Sequence, residues 1–267
     1  MLSDIMIGQF FPADSIIHRM DARVKILMLF VFILSIFLFD SKFDYVILIM
    51  VSMGLVFISQ IPLIMYIKSL KPMFWIVLFT FIVHVFSGTG PEVFKIWLFS
   101  ATWNGIYEGL FITIRLLLLV LLASVLTFTT SPLVLTDALE ALLRPFKAIG
   151  VPAHELSMMM TIALRFIPTL INETDKIIKA QKSRGADFTS GSIINRIHFV
   201  MPILIPLFVG AFRRADELAL AMEARYYRGG EGRTRMKEMQ LTRLDYILIG
   251  LFSIMIVILA VLKVKGI

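Results

Sequence analysis

Five apolar runs, each at or near the length of a bilayer crossing, constrain this chain more than any other feature. They fall at residues 24–39, 43–61, 72–86, 106–128 and 246–262. A hydrocarbon core takes about 20 mostly apolar residues to cross as an α-helix, because nothing there satisfies an open backbone. The third run is short, so Lys68 and Lys71 at its start are expected to snorkel to the interface. Two further apolar runs, 156–171 and 199–212, compete with these. Both are short, the first holds Arg165 and Pro168, and the second holds Pro202 and Pro206, so they read as non-spanning. Composition agrees with a membrane chain: 58% of residues are hydrophobic, and 23 Phe stand against 3 Trp. No small-residue cleavage site of a secretory leader is visible, so the first run reads as a retained helix.

The placement of charge selects the topology. With a cytoplasmic N-terminus and five spans, the inner side carries Arg19, Arg23, Lys25, Lys68, Lys71 and the sixteen Lys and Arg between residues 131 and 244. The outer side carries only Lys42, Lys95, Lys263 and Lys265, and Arg115 lies inside the fourth span. That asymmetry follows the positive-inside rule. If the two extra runs also crossed, Lys176, Lys179, Lys182, Arg184 and Arg196 would face outward. The expected fold is therefore an all-α membrane protein: an N-terminal membrane domain of four spans (1–130), a cytoplasmic body of three long helices (131–244) and a closing span (245–267). The setting is a plasma membrane, with the N-terminus and body inside and the C-terminus outside. The net charge of +7 serves topology and anionic headgroups here, since no nucleic-acid recognition motif accompanies it. Zero cysteines exclude disulfides and thiolate metal sites, and four scattered histidines argue against an imidazole cluster.

The body reads as helices with legible ends. Ser131 followed by Pro132 is an N-cap with proline at the first helical position, and Gly150 with Pro152 stops that helix. A second helix is expected over about 154–184, where Leu156, Met160, Ala163, Ile167 and Leu170 recur at steps of 3 and 4. Pro168 should kink it, and Gly185 supplies a left-handed residue to end it. The third shows the same steps at Phe208, Phe212, Ala215, Ala219, Met222 and Tyr226, with Arg213 and Glu217 as an i, i+4 pair off the stripe. Superposing the two helix ends on Arg184 and Arg225 aligns Asp175 with Asp216, Ala180 with Ala221 and Ser183 with Ala224. This reads as a short internal repeat.

A cation at a helix C-terminus interacts with the macrodipole by about 0.3–1 kcal/mol, and a single arginine there needs no other explanation. Two helices ending alike suggest more. An arginine fork can pair bidentately with a carboxylate in a partner's groove, and the helix behind it transmits force. Two equivalent tips imply two equivalent sockets, as on a dimeric or pseudo-dimeric partner. The run Met158, Met159, Met160 suits an exchangeable apolar contact and equally suits ordinary core packing.

The stretches "LTFTTSPLVLTDALEALLRPFKAIGVPAHELSMMMTIALRFIPTLINETDKIIKAQKSRGADF" and "IPLFVGAFRRADELALAMEARYYRGGEGRTR" resemble the transmembrane coupling subunit, the T component, of energy-coupling factor (ECF) transporters. The resemblance is strong over about residues 105–243 and only general in the first spans. Family members end two cytoplasmic coupling helices in short motifs, usually Ala-Arg-Gly. Here they correspond to Ser183, Arg184, Gly185 and to Ala224, Arg225, Tyr226, with Tyr226 departing from the usual glycine. The resemblance implies an ATP-driven importer of a vitamin or micronutrient. The chain would be its non-catalytic scaffold, joining two cytosolic ATP-binding cassette subunits, which bind ATP and Mg, to a membrane-embedded substrate-binding S component. It also implies an apolar platform for that S component, for which Met158, Met159, Met160, Ala163, Ile167, Phe208 and Phe212 are the candidates.

Other features do not redirect this reading. "RGGEGRTR" at 228–235 lacks phosphate-loop spacing and reads as a basic loop. Arg115 either pairs with Glu108, seven residues earlier, or meets backbone carbonyls in the interior. His84 reads as a satisfied interior histidine, and the connection 87–104, with Trp97 and Trp103, as an outer interfacial loop. A secondary transporter would show repeats and broken helices within the membrane, and an intramembrane enzyme would show paired carboxylates or a nucleophile with its base. Neither pattern is present in the sequence.

Overall fold

The computed structural model describes residues 10–39, 41–88, 91–96, 99–185, 193–229 and 239–265. Contact clustering divides the chain into two compact units. Among the described residues, one lies within 10–135 and 239–265 and the other within 136–229.

The first unit is the membrane part. After a short α1 (Ile16–Arg19), α2 (Ala22–Leu38) and α3 (Lys42–Ile58) are each 17 residues long, about 26 Å of rise. The next helical run is continuous from Leu63 to Ser87, comprising α4 (Leu63–Leu70), a 3-10 turn at Lys71–Met73 and α5 (Phe74–Ser87). Pro72 therefore does not open the third span, as the sequence suggests. The tighter turn absorbs its missing N–H, and the helix continues through it. Then come α6 (Trp103–Thr129) and, after the second unit, α10 (Arg243–Lys265). The runs 63–87, 103–129 and 243–265 are long and apolar enough to cross a membrane.

Local chemistry sets these boundaries. Asp21 caps α2 by accepting the Arg23 N–H at 2.8 Å, and Ser41 with Asp44 forms a reciprocal capping box on α3. Thr102 Oγ1 accepts the Gly105 N–H to start α6. The core joins α2, α3, α6 and α10 through Phe32, Ile36, Leu48, Leu118, Leu122 and Leu259. Meanwhile Phe30, Phe37, Phe57, Trp75, Phe79 and Leu251 are each more than half exposed. An apolar outer surface of that kind on apolar helices is the signature of lipid contact.

Between α5 and α6, a two-stranded antiparallel hairpin, β1 (Glu92–Ile96) and β2 (Phe99–Thr102), occupies what the sequence presents as a loop. Trp97 lies outside the described residues. The hairpin returns the chain so that α5 and α6 pack closely, and three glycines permit it. A Cβ on Gly105 would stand 2.5 Å from the His84 carbonyl oxygen, one on Gly88 would stand 2.4 Å from Gly105 Cα, and one on Gly109 would touch Phe81 at 3.2 Å. His84 is satisfied on its own helix, its Nδ1–H donating to the Thr80 carbonyl at 2.8 Å.

Ionic ties hold the unit's ends. Asp245, fully buried, accepts the Asp21 N–H at 2.9 Å and the Thr242 N–H at 2.7 Å. Lys25 is buried and donates to the Thr129 carbonyl and Thr130 hydroxyl, while Arg23 pairs with Asp21. Lys263 donates to the Leu38 carbonyl, closing the C-terminus of α2. Arg115 Nε donates to the Tyr45 hydroxyl at 2.9 Å, with its guanidinium over the Phe37 ring. Glu108 is exposed.

Candidate partner-docking site

Val134 N–H donates to the Ser131 hydroxyl at the start of α7 (Pro132–Leu143), whose later turns lead into the second unit, and a 3-10 turn at Arg144–Ile149 ends on left-handed Gly150. Two long helices follow, α8 (Ala153–Ser183) and α9 (Ile193–Ala224). Both carry interior prolines, Pro168 in α8 and Pro202 and Pro206 in α9, without being broken by them. The run 228–235 lies mostly outside the described residues, as do 186–192.

The helix ends are built alike. At the end of α8, Arg184 is the C-cap, its N–H reaching the Ala180 and Gln181 carbonyls at 3.3 and 3.1 Å. Gly185 follows with φ +87°, its N–H on the Lys182 carbonyl. At the end of α9, Arg225 N–H donates to the Met222 carbonyl, and Tyr226 follows with φ +54°. Tyr227 N–H then returns to the Met222 carbonyl at 3.0 Å, the six-to-one bond of a Schellman closure. Tyr226 thus adopts the left-handed conformation that Gly185 supplies at the first end, and α9 stops at Ala224 rather than running on towards Gly229. A non-glycine residue there costs about 1 kcal/mol. Ser183, Arg184, Ala224, Arg225 and Tyr226 are all exposed, Tyr226 at 81%.

α8 and α9 run antiparallel. Tyr227 meets Met158, and Arg214 pairs with Glu173, so advancing along one helix retreats along the other. Arg225 therefore lies beside the first turns of α8, about 25 residues and about 38 Å of helix rise from Arg184. The two tips sit at opposite ends of the helix pair.

Between the helices is a cavity of about 580 Å³. Ile162, Phe166 and Leu170 line it from α8, and Ala215, Ala219 and Met222 from α9, where the small alanines hold it open. The inward stripe of α8 is thus 162, 166, 170. Of the stripe read from sequence only Leu170 belongs to it, because the N-terminal half of α8 is apolar on more than one face. The platform candidates divide accordingly. Met158 is half-buried, its sulfur accepting the Tyr227 hydroxyl at 2.9 Å, and Met160 is half-buried. Met159, Ala163, Ile167, Phe208 and Phe212 are exposed, the two phenylalanines at 60% and 69%. The predicted Arg213–Glu217 pair is present at 3.0 Å on the outer face.

One network had no signal in the sequence. His154 shares hydrogen bonds with Glu140 at 3.1 Å and with the Tyr227 hydroxyl at 3.2 Å. It ties the residue two beyond Arg225 to the start of α8 and to α7. Among the described residues no three His, Asp or Glu side chains converge on a metal site.

Comparison with known proteins identifies the family. The profile of the CbiQ family, cobalt transport protein, matches residues 13–236. The chain is 51% identical over 264 residues to the energy-coupling factor transporter transmembrane protein EcfT of Acidaminococcus fermentans, covering 98% of both chains. It is 51% identical to the EcfT of Ruminiclostridium cellulolyticum, over 94% of each, and 46% identical to that of Bacillus subtilis, over 92% of this chain and 93% of the other. The chain belongs to the EcfT family. It is a transmembrane component of an energy-coupling factor transporter, and its apolar helices are the membrane part that such a component needs. The family's relatives are named as transmembrane proteins of a transporter, in keeping with a non-catalytic role. The match extends along nearly the whole chain, beyond the 105–243 stretch whose motifs carry the resemblance.

Proposed function

We propose that this EcfT-family chain is the coupling subunit of an ATP-driven micronutrient importer. In this reading the unit 136–237 faces the cytoplasm of a cell bounded by this plasma membrane, and the C-terminus lies outside. Arg184 and Arg225 enter acidic grooves on two ATP-binding cassette subunits, which bind and hydrolyse ATP with Mg. The exposed apolar residues Met159, Ile167, Phe208 and Phe212 meet a membrane-embedded S component, which carries the substrate. When ATP draws the two ATPases together, the tips travel with their sockets, and the apolar face they carry shifts against the S component.

The observation that supports this reading is the matched pair of helix ends: arginine at the C-cap, a left-handed residue next, both exposed, at opposite ends of one antiparallel pair. Sockets about 38 Å apart suit two subunits better than one small domain. The test is purification of the tagged chain from native membranes, wild type against Arg184→Glu with Arg225→Glu. Two ATP-binding cassette subunits should accompany wild type and be lost from the double variant, where like charge meets the socket. Retention of both ATPases by the double variant would remove the arginines from the interface.

A further inference from the structure

Resting on that reading, we infer that the two tips are chemically unequal, and that Tyr226 is a second anchor beside Arg225, its ring seated on an apolar wall of the socket that receives α9. At the equivalent point of α8, Gly185 puts no side chain beside Arg184.

The left-handed backbone does not by itself assign a role. Gln60 adopts φ +56° after α3, so this chain tolerates such residues at helix ends elsewhere. What distinguishes Tyr226 is its ring. It is a large aromatic side chain, 81% exposed, and at the equivalent point of α8 the chain uses glycine, which adopts the same conformation without strain. The ring therefore adds nothing to the turn and little to the packing of this subunit.

Its neighbour shows how the ring is presented. The left-handed turn sends Tyr227 back beneath the helix, where its N–H closes on the Met222 carbonyl and its hydroxyl meets His154 and Met158. Glu140 holds His154 from the other side. Tyr227 is thus pinned inward, and Tyr226, one residue earlier on a closed turn, is held outward next to Arg225. A rigid, amphipathic ring paired with an arginine fork is the residue combination that dominates hot spots of protein interfaces. A partner surface that fits it carries a carboxylate for Arg225 and, adjoining it, an apolar wall as wide as a ring.

The experiment uses the full chain in nanodiscs and the ATPase subunits released from the wild-type complex, with affinity measured by titration. Tyr226→Gly removes both strain and ring, Tyr226→Asn keeps a residue that accepts the left-handed region, and Tyr226→Phe keeps the ring. Gly and Asn variants should bind about tenfold more weakly, and the Phe variant as wild type. The Gly variant should at the same time melt no lower than wild type, which a merely structural tyrosine would not combine with weaker binding. If Tyr226→Gly binds as wild type while Arg225→Glu loses binding, the second anchor is refuted and the docking reading stands. If Arg184→Glu and Arg225→Glu also bind as wild type, the docking reading falls and takes this inference with it.

Discussion

Replacing Asp245 with alanine should cost this protein about 3 kcal/mol, although the residue lies in no apolar core. Its carboxylate is fully buried and serves two helices at once. One oxygen accepts the Asp21 N–H at 2.9 Å, and the other accepts the N–H and hydroxyl of Thr242 at 2.7 and 2.8 Å. Alanine leaves the Asp21 N–H in a buried position with no acceptor, worth about 1–3 kcal/mol. It also removes half of the cap on α10, worth about 0.5–2 kcal/mol, less where Thr242 reaches water. The neighbouring Lys25 loses a nearby anion as well. For a chain of this size the sum corresponds to a fall in Tm of about 6–12 °C. Thermal unfolding in detergent, followed by loss of the monodisperse peak, measures it. A fall under about 2 °C would refute the claim that this carboxylate ties α2 to α10.

Two further outcomes follow from backbone geometry. Gly105→Leu should destabilise by more than about 2 kcal/mol, because its Cβ alone meets the His84 and Val85 carbonyls at 2.5 and 2.8 Å; Gly54→Leu, with nothing within 4 Å, is the control and should melt as wild type. Gly185→Val should raise amide exchange in the last turn of α8 by about tenfold. The space around Gly185 is open, so φ +87° alone sets that loss.

The all-α membrane fold was legible because bilayer-length apolar runs and helical periodicity act on long windows. Where it fell short, the reasons are particular. GIYEG at 105–109 is a literal small-xxx-small pattern, and the close α5–α6 packing could have been read from it. TRLD at 242–245 is likewise a capping box in letters. That the second oxygen of Asp245 takes an N–H 224 residues away has no local signal, and neither does the meeting of Glu140, His154 and Tyr227. The Arg23 and Lys25 that decided topology by count turn out to be partly structural: Lys25 is buried on Thr129 and Thr130 rather than facing headgroups. At the candidate site, chain order gave both arginines and the glycine departure. It could not say that a tyrosine would accept φ +54°, because that depends on the closure made by Tyr227.

The antiparallel pairing carries a mechanical consequence. In the proposed docking, two rods packed side by side over 158–173 and 214–227, each held at its far tip, cannot follow two sockets by simple translation. If both sockets approach each other, the rods must rotate about their crossing or slide along their contact. Sliding is opposed by the Arg214–Glu173 pair and by Tyr227 on His154, both of which lock the register of α8 against α9. Rotation is not opposed to the same degree, since the cavity lined by Ala215 and Ala219 leaves space between the helices. The contact chemistry thus favours a scissor motion over a ratchet. A cross-link fixing Met158 to Tyr227 should then preserve coupling, whereas one bridging Ile162 to Ala219 across the cavity should abolish transport without releasing the ATPases.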